Sequence, residues 1–255
     1  YDIYSVMYEP FVKFTKQNKG NFFLKKLFGF KEFVEGKINY IFAEPYASFE
    51  SGLILGSRKG IPDDLNEKFK ITGLSHIVAI SGYNITLIIV FISGFLSFLD
   101  RRKQVLVSIG FIVVFVIFVG ASAAVVRAGI MGILGLLAIW FSRKSFIPIT
   151  ITCTAFLMTV YNPKILTYDV GFQLSFLATL GLIYISPILG KYFNFPDYYC
   201  ARESLLLTLS AEVTTLPIML MNFGRFSLIS PIANILVAPL VPIAMLFGFI
   251  AFLAS

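Results

Sequence analysis

The sequence predicts an all-α, polytopic membrane bundle, and three observations predict it. Of 255 residues, 57% are hydrophobic and only 14% are charged, whereas a soluble domain carries about a quarter charged residues. The mean hydropathy is +0.83. Several apolar runs approach the ~20 residues needed to cross a bilayer, and the alternating strands of a membrane β-barrel are not in the pattern. About seven apolar segments are expected, some broken or re-entrant, preceded by an amphipathic interfacial helix.

In order, residues 1–29 read as the tail of a preceding domain followed by a basic connector. Tyr1 to Val12 is rich in β-branched and aromatic residues, which is strand composition. Lys13, Lys16, Lys19, Lys25 and Lys26, interleaved with Phe22, Phe23 and Phe28, suit a membrane surface or a polyanion. Residues 30–72 form the next unit. Phe30, Phe33, Val34, Ile38, Ile41 and Phe42 recur at helical spacing, so an amphipathic helix running to about Leu55 is expected to lie in the interface. After Gly52, Gly56 and Pro62, Asp63 and Asp64 start a short helix to Ile71.

Residues 73–255 form the transmembrane unit. The first crossing is expected over Leu74–Leu99, kinked at Ser81-Gly82, followed by Val105–Val119 and Val125–Phe141. A shorter run covers Ile147–Tyr161, and a further helix spans Val170–Ile188. After a polar loop from Lys191 to Glu203 comes a helix from Ser204 to Met221. Pro231, Pro239 and Pro242 divide the last block into a half-helix at 228–238 and a crossing at 240–254. A break at membrane depth must be buried in protein or line water.

The net charge of +7 is unevenly spread. Residues 1–72 hold 11 Lys/Arg against 9 Asp/Glu, and residues 73–255 hold 10 against 5. Basic clusters at Arg101-Arg102-Lys103 and Arg143-Lys144 mark cytoplasmic loops. With that count the region before residue 73 is expected to lie outside, in a multi-pass membrane protein. Cys153 and Cys200 lack metal or disulfide spacing. No cofactor and no metal site is expected, because one histidine and two scattered cysteines cannot build a zinc centre.

Polar residues inside apolar segments are the functional candidates, because they are costly there unless paired or wetted. The stretch Gly73–Leu87 holds Ser75, His76, Ser81, Gly82 and Asn84, and His76 is the only histidine. Arg127 and Glu212 are the two charges furthest inside the membrane. One reading pairs them to fix helix packing; the other turns each toward an aqueous path, where an arginine fork suits phosphate. Gln173, Asn222 and Asn234 are polar but neutral; they fit a water-lined path and equally fit interhelical hydrogen bonds. A hydrolase using Ser75 or Ser81 with His76 is a third reading. It is disfavoured because neighbouring helical side chains diverge by ~100°, and no Gly-x-Ser-x-Gly elbow is present. The protein is therefore not expected to be an enzyme.

The spelling of several motifs resembles the ComEC-type competence family. Gly73-Leu74-Ser75-His76-Ile77-Val78-Ala79-Ile80-Ser81-Gly82-Tyr83-Asn84 is similar to its Gly-Leu-x-His-x-x-Ala-x-Ser-Gly-x-His signature. Leu53 to Ile61, Val126-Arg127-Ala128-Gly129-Ile130-Met131 and Tyr168 to Phe176 resemble further elements in order. Leu216-Pro217 through Phe223-Gly224, with Ser230 to Leu236, resembles the last. Asn84 stands where the family motif commonly has a second histidine, so hydrogen bonding survives there and an imidazole role does not.

The resemblance implies a channel carrying single-stranded DNA across the bacterial cytoplasmic membrane in natural transformation. It implies an OB-fold as the domain ending near Val12, and DNA, the lipid bilayer, an extracellular DNA receptor and a cytoplasmic helicase as partners. On this reading Ser75, His76, Ser81, Gly82, Asn84, Arg127, Asp169, Gln173, Glu212 and Asn234 are path residues. A transporter or scaffold for another substrate is the alternative.

Overall fold

The computed structural model describes residues 22–57, 60–78, 82–96, 98–193, 201–224, 227, 229–237 and 239–254. The strand expected at Tyr1–Val12, most of the basic connector, Arg58, Lys59 and Ser81 lie outside them. The described residues are mostly helical, with no strand among them. The fold is an all-α membrane bundle.

Helix α1 (Phe22–Ile41) starts earlier than its apolar periodicity indicated, and α2 (Tyr46–Leu55) is separate from it. Pro45 stands just ahead of α2, where its missing N–H costs nothing. Val34 and Ile38 of α1 pack on Ala47 and Leu55 of α2, with Phe118 and Phe252 against them. Phe22, Phe23, Phe28, Phe30 and Phe33 remain exposed. The amphipathic reading therefore fits α1. It does not fit α2, where Ala47, Ser48, Glu50, Ser51, Gly52, Leu53 and Leu55 are all buried. A helix buried on every side belongs to the core.

Helix α3 (Asp63–Ile71) has the bounds expected, with Asp63 and Asp64 in its first turn and Lys68 and Lys70 in its last. Both ends thus complement the helix dipole. Next come α4 (Ser75–Val78) and α5 (Gly82–Phe95), lying on either side of residues 79–81.

The bundle proper begins with α6 (Arg101–Val119) and α7 (Ala123–Trp140), an antiparallel pair. Val105, Ile112 and Leu136 pack at one end of it, with Trp140 against them, and Ile85 and Val125 pack at the other. Helix α8 (Ile147–Tyr161) has the expected bounds and joins α7 through Ile151 and Met158. A short α9 (Ile165–Tyr168) leads to α10 (Val170–Leu180), a π turn at Gly181–Ile185 and α11 (Ser186–Tyr192). Pro187 explains the π turn: its ring crowds the carbonyl four residues back, and widening the helix there relieves the clash.

Helix α12 (Ala201–Phe223) runs beside α10 with Pro217 inside it. The two approach so closely that a Cβ on Gly181 would lie 2.3 Å from the Ser210 carbonyl oxygen. Small residues let membrane helices pack at this range. Helices α13 (Ser230–Val237) and α14 (Leu240–Ala254) close the chain.

Among the described residues, four helical spans are long and apolar enough to cross a bilayer: Arg101–Val119, Ala123–Trp140, Val170–Tyr192 and Arg202–Phe223. A fifth exists if α13 and α14, bent by 42°, count as one. This is fewer than the seven apolar segments expected. The shortfall is one of length: α5 has 14 residues and α8 has 15, or about 21–22 Å at the usual rise, against a core of ~30 Å.

Candidate functional site

The long helices satisfy their own backbones, so polar side chains are needed where helices are short. A helix end leaves several N–H or C=O groups unpaired. In α2 and α13 those ends fall among buried residues, and several polar groups of the chain collect around them and around α4.

Gly73, just before α4, holds a left-handed φ of +72°, which favours glycine. It also lies against α13, because a Cβ there would come within 2.7 Å of Ser230 Cβ and 3.3 Å of Ser227 Cβ. Ser230, 6% exposed, starts α13 and is in hydrogen-bonding contact with the Glu212 carboxyl group. Glu212 lies eleven residues before the end of α12 at Phe223, about 16 Å along the axis at the usual rise. Ser230 at the start of α13 thus lies beside the middle of α12, and α13 packs on α12. Asn234, one turn further along α13, is 8% exposed. Ser227 Oγ is buried without a hydrogen-bond partner.

His76 Nδ1 lies 3.0 Å from the Gly73 carbonyl oxygen. One ring nitrogen is thus committed to the main chain of its own turn, and among the described residues no serine hydroxyl is bonded to it. Ser75, next to it, is exposed. The geometry of a serine hydrolase is not formed around His76 by the described residues.

Asn84 is 2% exposed and donates from Nδ2 to the Leu53 carbonyl, 3.2 Å away. That carbonyl belongs to the last turn of α2, where intrahelical donors run out. The amide thus ties the end of α2 to the start of α5. Leu53 itself packs with Val241 and Met245 of α14.

Arg127 occupies a second centre. Its Nη1 donates to the Ser175 carbonyl at 2.5 Å and to the Thr179 hydroxyl, both on α10 just ahead of the π turn. Its Nη2 would lie 2.9 Å from a Cβ on Gly82, so glycine at the start of α5 leaves room for the guanidinium and a larger residue would displace it. Nε is buried without a partner. Arg127 and Glu212 are not paired with each other. The three ion pairs among the described residues are Lys68–Asp64, Lys70–Glu67 and Lys103–Asp100, all on exposed side chains.

Asp169 and Gln173 have local work. Asp169 caps α10, its Oδ1 accepting from Phe172 N at 2.9 Å. Gln173 Nε2 donates to the Leu166 and Thr167 carbonyls at 2.8 and 3.1 Å, the loose end of α9. Both roles follow from helix ends alone. Of the sequence candidates, the structure brings Gly82 to Arg127 and places Glu212 and Asn234 around α13. Ser81 lies outside the described residues. Sequence reasoning passed over Ser227, Ser230, the Ser175–Thr179 pair and Glu50. Glu50 had a legible signal, as the one charge in the stretch from Ala47 to Ser57.

Residues 53–255 match a protein family described as Competence protein. The chain is 28% identical over 209 residues to ComE operon protein 3 of Bacillus subtilis (strain 168). That alignment covers 78% of this chain and 25% of the relative, so the chain spans about a quarter of its length. No solved structure matches. With most of its length inside the family match, and with the motif residues His76, Asn84 and Arg127 at its helix junctions, the chain belongs to the competence protein family.

Proposed function

We propose that this chain is the membrane channel unit through which single-stranded DNA crosses the bacterial cytoplasmic membrane during transformation. The observation that carries the reading is the convergence of short, polar helix ends, α4 and α13 with Glu212 of α12, inside a bundle of a competence family. Discontinuous helices in membranes occur where the freed backbone lines a cavity or meets a substrate. Here Gly73, whose carbonyl holds His76, lies against Ser230 of α13, and Ser230 meets Glu212 of α12.

Arg127 is the phosphate-binding residue of this reading. In the present conformation its fork is spent on Ser175 and Thr179. A strand of DNA offers phosphate oxygens for the same donors, and charge-assisted bonds to phosphate are the stronger ones. Opening therefore exchanges a protein carbonyl for a phosphate and loosens α7 from α10 next to its π turn. Asn84 and His76 stand at the outer mouth, on the loop-charge orientation that places the segment before residue 73 outside.

The test is uptake of labelled DNA into a nuclease-protected state in competent cells carrying Arg127→Ala or Arg127→Lys. Loss of a charged hydrogen bond worth about 1.5–3 kcal/mol lowers uptake by roughly ten- to a hundredfold. Thr179 Oγ1 also bonds the Ser175 carbonyl, at 2.9 Å, so Arg127→Ala leaves that carbonyl satisfied and the fold intact. Unchanged uptake with normal membrane insertion overturns the assignment. Binding of single-stranded DNA in liposomes should also weaken steeply with salt.

A further inference from the structure

Helix α2 carries a buried carboxyl group with an oxygen that no described residue answers. Glu50 is 7% exposed, and its Oε1 has no hydrogen-bond partner. The group is pressed onto α14 at Gly248, where a Cβ would lie 1.8 Å from Oε1 and 2.6 Å from Cδ. The carboxyl occupies the space that any other residue at 248 would need. The helices run antiparallel here: Glu50 meets Gly248, and three residues on, Leu53 packs with Val241 and Met245.

The elements packed on α2 include α1, α4 and α14, with α3 against it through the Phe49–Phe69 ring contact and α5 through Asn84 on the Leu53 carbonyl. On α3, Asp64 pairs with Lys68 and Glu67 with Lys70 on exposed side chains, and Asp63 is exposed. Helix α14 has no ionisable side chain. On α4 the one such group is His76, whose Nδ1 sits on Gly73 O. On α1, Glu35 accepts from Ser57, Lys31 donates to the Val119 carbonyl, and Lys37 stands over the Phe33 ring. Lys25, Lys26 and Glu32 lie on its exposed side. None of these pairs with Glu50. An ionised carboxylate in such a place loses its hydration and gains no counter-charge.

We propose that Glu50 is a proton-binding site at the α2–α14 contact, and that the bound proton seats α2 in the notch left by Gly248. The neutral carboxyl stays in the notch; the carboxylate leaves it and loosens α2. Because the Leu53 carbonyl holds Asn84, that movement is passed to the start of α5. Burial pushes the Glu50 carboxyl from 4.5 up to about 7. The seated state therefore holds the proton where the released state does not, so seating is strongest at low pH. It weakens as pH rises from the ordinary carboxylate range to about 7 and is level above that. The inference does not rest on the DNA reading.

The experiment uses the chain with Cys153→Ser and Cys200→Ser in phosphatidylcholine liposomes, with Ser51→Cys as a reporter. Ser51 is 1% exposed and its hydroxyl is unpartnered, so a thiol fits there. Labelling by a water-soluble methanethiosulfonate is timed across pH 5–8 and divided by the rate in the same protein carrying Glu50→Gln. The thiol's own titration cancels in that ratio. A shift of this size changes the seating equilibrium by well over tenfold across the range, so the ratio rises more than tenfold and levels off above about pH 7. A flat ratio overturns the proposal. Gly248→Ala puts a methyl group in the notch and labels fast at every pH; slow labelling overturns the contact. Should that variant not fold, infrared difference spectra decide. A protonated-carboxyl band that Glu50→Gln removes supports the site, and no such band at pH 5–6 overturns it.

Discussion

The α6–α7 pair and the α2–α4–α13 group are built from similar apolar material but solve opposite problems. Helices α6 and α7 have 19 and 18 residues, so each satisfies most of its backbone by itself. Ridge-to-groove contacts then suffice, as where Gly129 lets Val116 approach, a Cβ there lying 2.8 Å from Val116 Cγ2. Helices α2, α4 and α13 have 10, 4 and 8 residues. For them the unpaired ends are a large share of the whole, and Asn84, Ser230 and the Gly73 turn sit where those ends are. The difference teaches that one part of the polarity in this membrane protein follows helix ends: where the short helices cannot hydrogen-bond themselves, side chains do it. Arg127 and Glu212, by contrast, sit inside long helices.

The largest effect belongs to the continuous part. Gly181→Leu drives a side chain against the Ser210 backbone, which cannot give way as a flexible side chain can. It should cost about 3 kcal/mol or more and abolish a monodisperse thermal transition in detergent. A Tm near that of the parent sinks the α10–α12 crossing. In the broken part, Asn84→Leu leaves the Leu53 carbonyl buried without its donor. The expected loss is about 1–3 kcal/mol, read as a lowered Tm, while Asn84→His retains a donor and loses less. Equal losses for the two variants would mean that the amide does not support the end of α2.

Asp169→Ala removes the cap from α10 and should cost about 1 kcal/mol, with Asp169→Asn close to the parent. That result would sharpen the comparison by assigning Asp169 to a helix end rather than to a path. The smallest effect is expected on α3, where Asp64→Asn breaks an exposed pair with Lys68 that lies at 2.6 Å. Its stability change should stay below about 0.5 kcal/mol, and a larger one would show that α3 bears more of the fold than its exposure indicates.

Much of the candidate site was legible because cost is legible. Arg127 and Glu212 stood out as charges in apolar runs, and His76 and Asn84 as polar residues at a helix start. Their partners were not. Whether Arg127 meets Glu212 or an α10 carbonyl depends on which helices are neighbours, and periodicity carries no information on that. Glu50 was missed for a related reason. Its run, Ala47 to Leu55, continued the apolar rhythm of Phe30 to Phe42, so one long surface helix accounted for both. Pro45 marks the break, but only packing shows that the piece after it turns inward.

The sequence by itself determined that the chain is a membrane-embedded all-α protein, with α3 and α8 bounded as their caps and prolines require. Those properties depend on residues close along the chain: hydropathy over twenty positions, acids at a helix start, a proline that cannot donate. Tertiary structure decided which segments are long enough to span and that Ser230 of α13 reaches Glu212 of α12. It also decided that the Glu50 carboxyl lies in the space above Gly248. These depend on pairs as far apart as 50 and 248, and contact at that separation follows from the packing of the whole bundle.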